Sequence, residues 1–188
     1  MAQVISFEER AVARLRERLG EAVEANEDLI AFARGHWDAV ASINAAVLAT
    51  IETDSIETLL DVVTRDWPSI LEIDFVAIAI RVGDRAFRAD PNGIERVEPT
   101  FVERMLSPLH LVDVRSVACG HVLFGPAAAN QVRAEALIRI DGRGACPRGV
   151  LALGQRDRLT VECGHGSELL RYLGRVIAAT ARRCTAAG

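Results

Sequence analysis

From Phe7 to Ile51 the chain carries no proline, and apolar residues return in alternating steps of three and four. With Val12 placed at an a position, the a/d series runs Val12, Leu15, Leu19, Ala22, Asn26, Leu29, Ala33, His36, Val40, Ile43, Val47 and Thr50. This is the spacing of a helix with a single apolar seam. A continuous helix of about 44 residues would reach roughly 66 Å, too long to be buried inside a domain of this size. The seam must therefore meet another helix. A homodimer through this helix is the expectation, with Val12, Leu15, Leu19, Asn26, Leu29, Val40, Ile43 and Val47 at the contact. Asn26 at an a position would fix the register of a parallel pair at a cost in stability. A break near Gly35 would instead leave Asn26 exposed. A second stripe of Val23, Ile30 and Trp37 widens the apolar face, which suits a bundle, or packing on the rest of the chain, as well as a two-stranded coil.

Composition excludes several chemistries. All 22 basic residues are arginine. Schiff-base enzymes, pyridoxal-phosphate enzymes and P-loop hydrolases need a lysine, so this chain alone builds none of them. Half of the residues are apolar, 26% are charged and the net charge is −4, which argues against disorder and against a dedicated nucleic-acid binder. Arg10, Arg14, Arg16 and Arg18 alternate with Glu8, Glu9, Glu17 and Glu21, the pattern of a solvated helix face. No apolar run approaches the roughly 18 residues of a membrane span, and the N-terminus lacks a signal-peptide core. A cytoplasmic protein with reduced thiols is expected.

Beyond residue 53 the pattern alternates between helices and strands. Asp54 is placed as the cap of a helix running to Trp67 and Pro68. Phe75–Val82 (FVAIAIRV) is apolar on both faces, as in a central, covered strand. Arg85–Ala89 returns as its hairpin partner. Thr100 and Glu103 form a capping-box pattern for a short helix ending by Pro108. His110–Arg115, His121–Phe124, Arg133–Asp141 and Gly149–Gln155 are strand candidates, and a last amphipathic helix starts at Ser167. This order predicts an α+β fold: one antiparallel sheet flanked by helices, preceded by a long coiled-coil-like helix. The domain boundaries fall at residues 1–52 for the helix and 53–188 for the sheet domain.

Three stretches carry a resemblance: FEERAVARLRERLGEAVEANEDLI, AEALIRIDGRGACPRGVLALGQRDR and GHGSELLRYLGRVIA. Over roughly residues 5–183 the chain resembles the domain of unknown function 484 family, GAF-like proteins of proteobacteria. The resemblance implies a GAF-like sheet and a dimeric, non-enzymatic module that senses a small molecule or regulates a partner. It brings no catalytic residues. Bilin-binding GAF domains need a suitably placed cysteine, and Cys119 and Cys146 have no supporting motif. The Asn-Lys-Phe-Asp-Glu set of cyclic-nucleotide-binding members is incomplete in a chain without lysine. Genes of this kind often neighbour a tyrosine-recombinase gene. A second reading is therefore an interaction adaptor whose cavity is filled by its own side chains, such as Phe101, Met105 and Phe124, with a DNA-recombination partner.

The candidate ligand-binding residues are Asp113, Arg115, His121, Phe124 and Arg139, charged or aromatic groups within strand patterns that could face a GAF cavity. Arg115 and Arg139 fit the solvent face of alternating strands equally well. Two CGH tripeptides, Cys119-Gly120-His121 and Cys163-Gly164-His165, suggest a metal or redox sensor as a third reading. Two turns with small buried thiols explain them more simply, so neither a metal site nor a cofactor is assigned.

Overall fold

The computed structural model describes residues 39–142, 147–157 and 167–186. The chain divides into compact units Met1–Ala41 and Ser42–Gly188. The predicted contact residues Val12, Leu15, Leu19, Asn26 and Leu29 lie outside the described residues. Helix α1 is described over residues 39–51 and carries Val40, Ile43 and Val47.

Six strands form one antiparallel sheet in the order β3-β2-β1-β6-β5-β4. They are β1 (Phe75–Val82), β2 (Arg85–Asp90), β3 (Gly93–Val97), β4 (Val112–Ser116), β5 (Ala134–Asp141) and β6 (Arg148–Gln155). Five of the six carry residues that the sequence assigned to strands. β1 and β6 lie at the centre, where their apolar residues are covered on both faces.

The first face presents Val76, Ile78, Ile80 and Val82 from β1, Ile138 and Ile140 from β5, and Leu151 and Leu153 from β6. On it pack α1, α2 (Ile56–Asp61), a π-helical turn (Val62–Asp66), α3 (Trp67–Ile70) and α6 (Ser167–Ala186). Ala46 is fully buried and Ile43 and Val47 pack on this core, so these α1 residues contact their own domain. The adjoining Thr50 is also buried and donates its hydroxyl to the Ala46 carbonyl at 2.7 Å. Arg183 from α6 donates to the carbonyls of Ile51 and Thr53, closing the C-terminal end of α1. Gly174 sets the approach of α6 to β5: a Cβ there would lie 2.9 Å from the Arg139 carbonyl oxygen.

The opposite face is lined by smaller side chains, including Ala77, Ala79, Ala86 and Ala152. Short pieces cover it: α4 (Pro99–Leu106), a 3-10 turn (Val122–Phe124) and α5 (Gly125–Ala129).

Four local expectations are corrected. The cap of α2 is Ser55 rather than Asp54, and Ser55 exchanges hydrogen bonds with Thr58. Helix α4 starts at Pro99, whose missing N–H suits the first helical position, and its cap residue Glu98 makes no side-chain cap bond; the Thr100–Glu103 capping box does not form. His121–Phe124 is a 3-10 turn with His121 as its cap, not a strand. Pro68 does not end its helix, because the π-helical turn shifts it to the start of α3.

Candidate functional site

Arg88 lies on β2 opposite Ala79 of β1 and Glu95 of β3, and its side chain rises on the small-residue face. Isolated on that face, a guanidinium would be costly to bury. Here Nη2 donates to Asp90 Oδ2 at 2.9 Å and to the Leu123 carbonyl at 2.9 Å. Asp90 is itself 6% exposed and accepts the Asn92 N–H on its other oxygen at 2.8 Å. The pair thereby ties the 3-10 turn to the sheet. Gly125 follows that turn with φ +76°, and a Cβ there would lie 3.3 Å from Arg88 Nη2. Gly125 suits both the backbone conformation and the space.

Beside this anchor opens a cleft of about 750 Å³. Its walls come from the start of β1 (Asp74, Phe75), the β2–β3 hairpin (Arg88, Asp90, Asn92, Glu95) and α5 (Ala127, Ala128), with Phe124 and Gln131. Phe75 and Phe124 meet edge to face with ring centres 6.4 Å apart. At the β1 end, Arg156 lies 5.1 Å over the Phe75 ring and 3.7 Å from Asp74.

Of the sequence candidates, Phe124 lines this cleft. Asp113, Arg115 and His121 assemble elsewhere, around Glu135. The Glu135 side chain is 1% exposed and lies 2.8 Å from Arg115 Nη2, while Arg115 Nη1 reaches Asp113 at 3.1 Å. The other Glu135 oxygen accepts the His121 N–H at 2.6 Å. Leu123 N–H donates to His121 Nδ1 at 3.3 Å, so the neutral ring carries its proton on Nε2. Burial pushes the His121 pKa below its ordinary value of 6.5, and Arg115 pushes the same way against the opposing pull of Glu135. Arg139 stands apart: it donates to the carbonyls of Leu106 and Leu109 at 3.1 and 3.2 Å, at the end of α4, and pairs with Asp141.

Cys119 is exposed, with its thiol 3.6 Å from Asn130 Oδ1. The second CGH element, Cys163 and His165, lies outside the described residues, as does Cys146. Phe101 and Met105, half-buried residues of α4, pack against the apolar cluster that includes Val102, Leu106, Leu123 and Phe124.

Arg88, Asp90 and Glu95 were missed in the sequence. In RAFRAD the two arginines are three residues apart and so take opposite sides of a strand, and nothing local says which of them is inward. The usable signal is parity: Arg88 shares its side of β2 with Ala86 and Asp90, which the register places on the small-residue face.

The fold is that of a GAF domain. The GAF domain of a putative sensor histidine kinase from Pseudomonas syringae pv. tomato aligns with a TM-score of 0.54 at 12% identity, covering 85% of this chain and 95% of that one. The A. aeolicus nlh2 GAF domain in an inactive state gives 0.56 at 12%, covering 78% and 97%. Free methionine-R-sulfoxide reductase from Neisseria meningitidis, in complex with its substrate, gives 0.56 at 11%, covering 78% and 89%. At such identities the likeness concerns the fold. The chain belongs to the family described as "Protein of unknown function, DUF484", whose model matches residues 1–186. No curated protein is similar enough in sequence to match it. No helix among the described residues is long and apolar enough to cross a membrane.

Proposed function

We propose that this protein is a non-enzymatic GAF-like regulatory module that holds a small molecule in the cleft beside Arg88 and acts as a cytoplasmic dimer through its N-terminal helix. The cleft carries the reading. It is an open cleft of about a metabolite's size, has an aromatic wall, and gathers polar side chains from β2 (Arg88, Asp90), β3 (Glu95) and the adjoining segments (Asp74, Asn92, Gln131) around one space. Its cover is anchored to the sheet by Arg88, so occupancy has a route into the fold. The GAF domain of a putative sensor kinase supports a regulatory role by analogy of fold. The dimer rests on the heptad seam.

Native mass spectrometry of protein purified gently from a proteobacterial host tests both halves. The expected species is a dimer carrying an added small-molecule mass. Ala127→Trp, on the exposed wall of the cleft, should remove that mass and keep the dimer. A chain beginning at Ser42 should be monomeric, since it keeps the α1 residues that pack on the domain and loses the seam. A clean apo dimer from the native host contradicts the ligand half, and a monomeric full chain contradicts the dimer half.

A second reading, an interaction adaptor, is favoured by the packing around α4, where Val102, Leu106, Leu123 and Phe124 are buried in one apolar cluster with the half-buried Phe101 and Met105 against it. In that case the full chain retains a protein partner, with a recombination protein the first to try, and Ala127→Trp leaves the partner bound.

A further inference from the structure

We infer that the C-terminal end of α1 meets the same helix of a second copy, in parallel, through Asn44, Leu48 and Ile51 rather than through the Ile43 and Val47 positions of the heptad seam. This rests on reading the chain as a dimer through its N-terminal helix, and it moves the place of contact. Ala46 and Thr50 are buried, and Ile43 and Val47 pack against the domain core, so that side of the helix is already used within the copy. Leu48 and Ile51 lie about a third of a turn further round, where they are 56% and 43% exposed. They stand one turn apart on the same side, and Asn44, one turn before Leu48, is exposed with them. The other large apolar side chains exposed among the described residues, Leu111, Val122 and Tyr172, sit singly on separate segments. Single exposed apolar residues are ordinary on a protein surface, whereas a run of them along one helix side asks for a cover.

Two features name that cover. Counting back from Ile51 in steps of seven gives Asn44, Trp37, Ile30 and Val23, so the exposed side carries on the second apolar stripe of the sequence. Seven residues is the repeat by which helices pair along their length. Asn44 then discriminates between covers. Buried against aliphatic side chains alone, its amide would lose its hydrogen bonds to water. Opposite its own copy across a two-fold axis, one amide donates to the carbonyl oxygen of the other, and such a pair fixes a parallel register. The Arg183 bond to the Ile51 carbonyl ties this end of α1 to α6. Partner and domain core therefore grip two sides of one helix segment, and a displacement of the core against α1 is felt at the contact.

The test is the dimer dissociation constant of the full chain, read by sedimentation equilibrium. Leu48→Glu and Ile51→Glu, both at exposed positions of the single copy, should each weaken the dimer about tenfold or more. In a parallel pair, position 48 of one copy faces position 48 of the other. Mixing Leu48→Glu chains with Leu48→Arg chains should therefore give a dimer about threefold or more tighter than either variant forms alone, a rescue that a misfolded variant would not show. If the Glu variants keep the wild-type constant, or if mixing restores nothing, this placement of the contact falls and the helix-dimer reading stands. If the wild-type full chain is monomeric, both fall.

Discussion

Val76, Ile78 and Ile80 on one side of β1 are large and branched, while Ala77 and Ala79 on the other are small. The first set lies under α6, which runs over 20 residues, and under α1 and the shorter α2, π-helical turn and α3, whose apolar residues join it in one cluster. The second leaves depth between sheet and cover, filled by an eight-residue helix, a 3-10 turn and a five-residue helix. These pieces bury Val102, Leu106, Leu123 and Phe124, and charged groups fasten them in addition. Arg88 holds the 3-10 turn, Arg139 holds the end of α4, and Glu135 holds the His121 backbone. One face is built for cohesion, and the other keeps space and polar groups where a ligand can use them.

Substitutions should separate the two faces. Ile78→Ala cuts into the fully buried helix-covered core and should cost about 2–5 kcal/mol, read from denaturant unfolding. Gly174→Val drives a side chain against the Arg139 carbonyl and should cost about 1–3 kcal/mol by the same assay. On the cleft face, Glu135→Ala strands the His121 N–H and releases Arg115, for about 1–2 kcal/mol; a loss as large as that of Ile78→Ala would break the contrast. His121 adds a pH signature. Its folded pKa lies below the unfolded value, so the unfolded chain binds more protons as pH falls below 6.5, and stability falls in that window. In His121→Gln that part of the slope should disappear. Glu103→Gln removes the charge that faces Arg81 and Arg148 across contacts partly open to solvent, and should change stability by under about 1 kcal/mol.

Much of this architecture was legible in the sequence, for reasons that also mark where legibility stopped. FVAIAIRV declares a doubly covered strand because neither side offers a polar residue before Arg81. Ser167 onward declares a helix through its regular apolar face. β3 was missed because GIERV is an edge strand with half-buried and exposed positions and little periodic signal. HVLF looked like a strand because its apolar run is short, and a histidine ring nitrogen capping its own turn leaves no mark in composition. The cleft was the least legible part. Phe124 was chosen for its aromatic ring and does line it, but Arg88, Asp90 and Glu95 meet through the register of two strands, β2 and β3, which no local pattern encodes. Asp113, Arg115 and His121 are neighbours in space as in sequence, gathered by a buried Glu135 that the strand pattern had hidden.

The most direct measurement is backbone amide mapping of the full chain titrated with the low-mass ultrafiltrate of a proteobacterial cell extract. Saturable shifts confined to Phe75, the β2–β3 hairpin and α5 are the predicted result. Shifts confined to the face covered by α1 and α6, or no saturable shift at all, would contradict the assignment of the cleft as the site through which this domain is regulated.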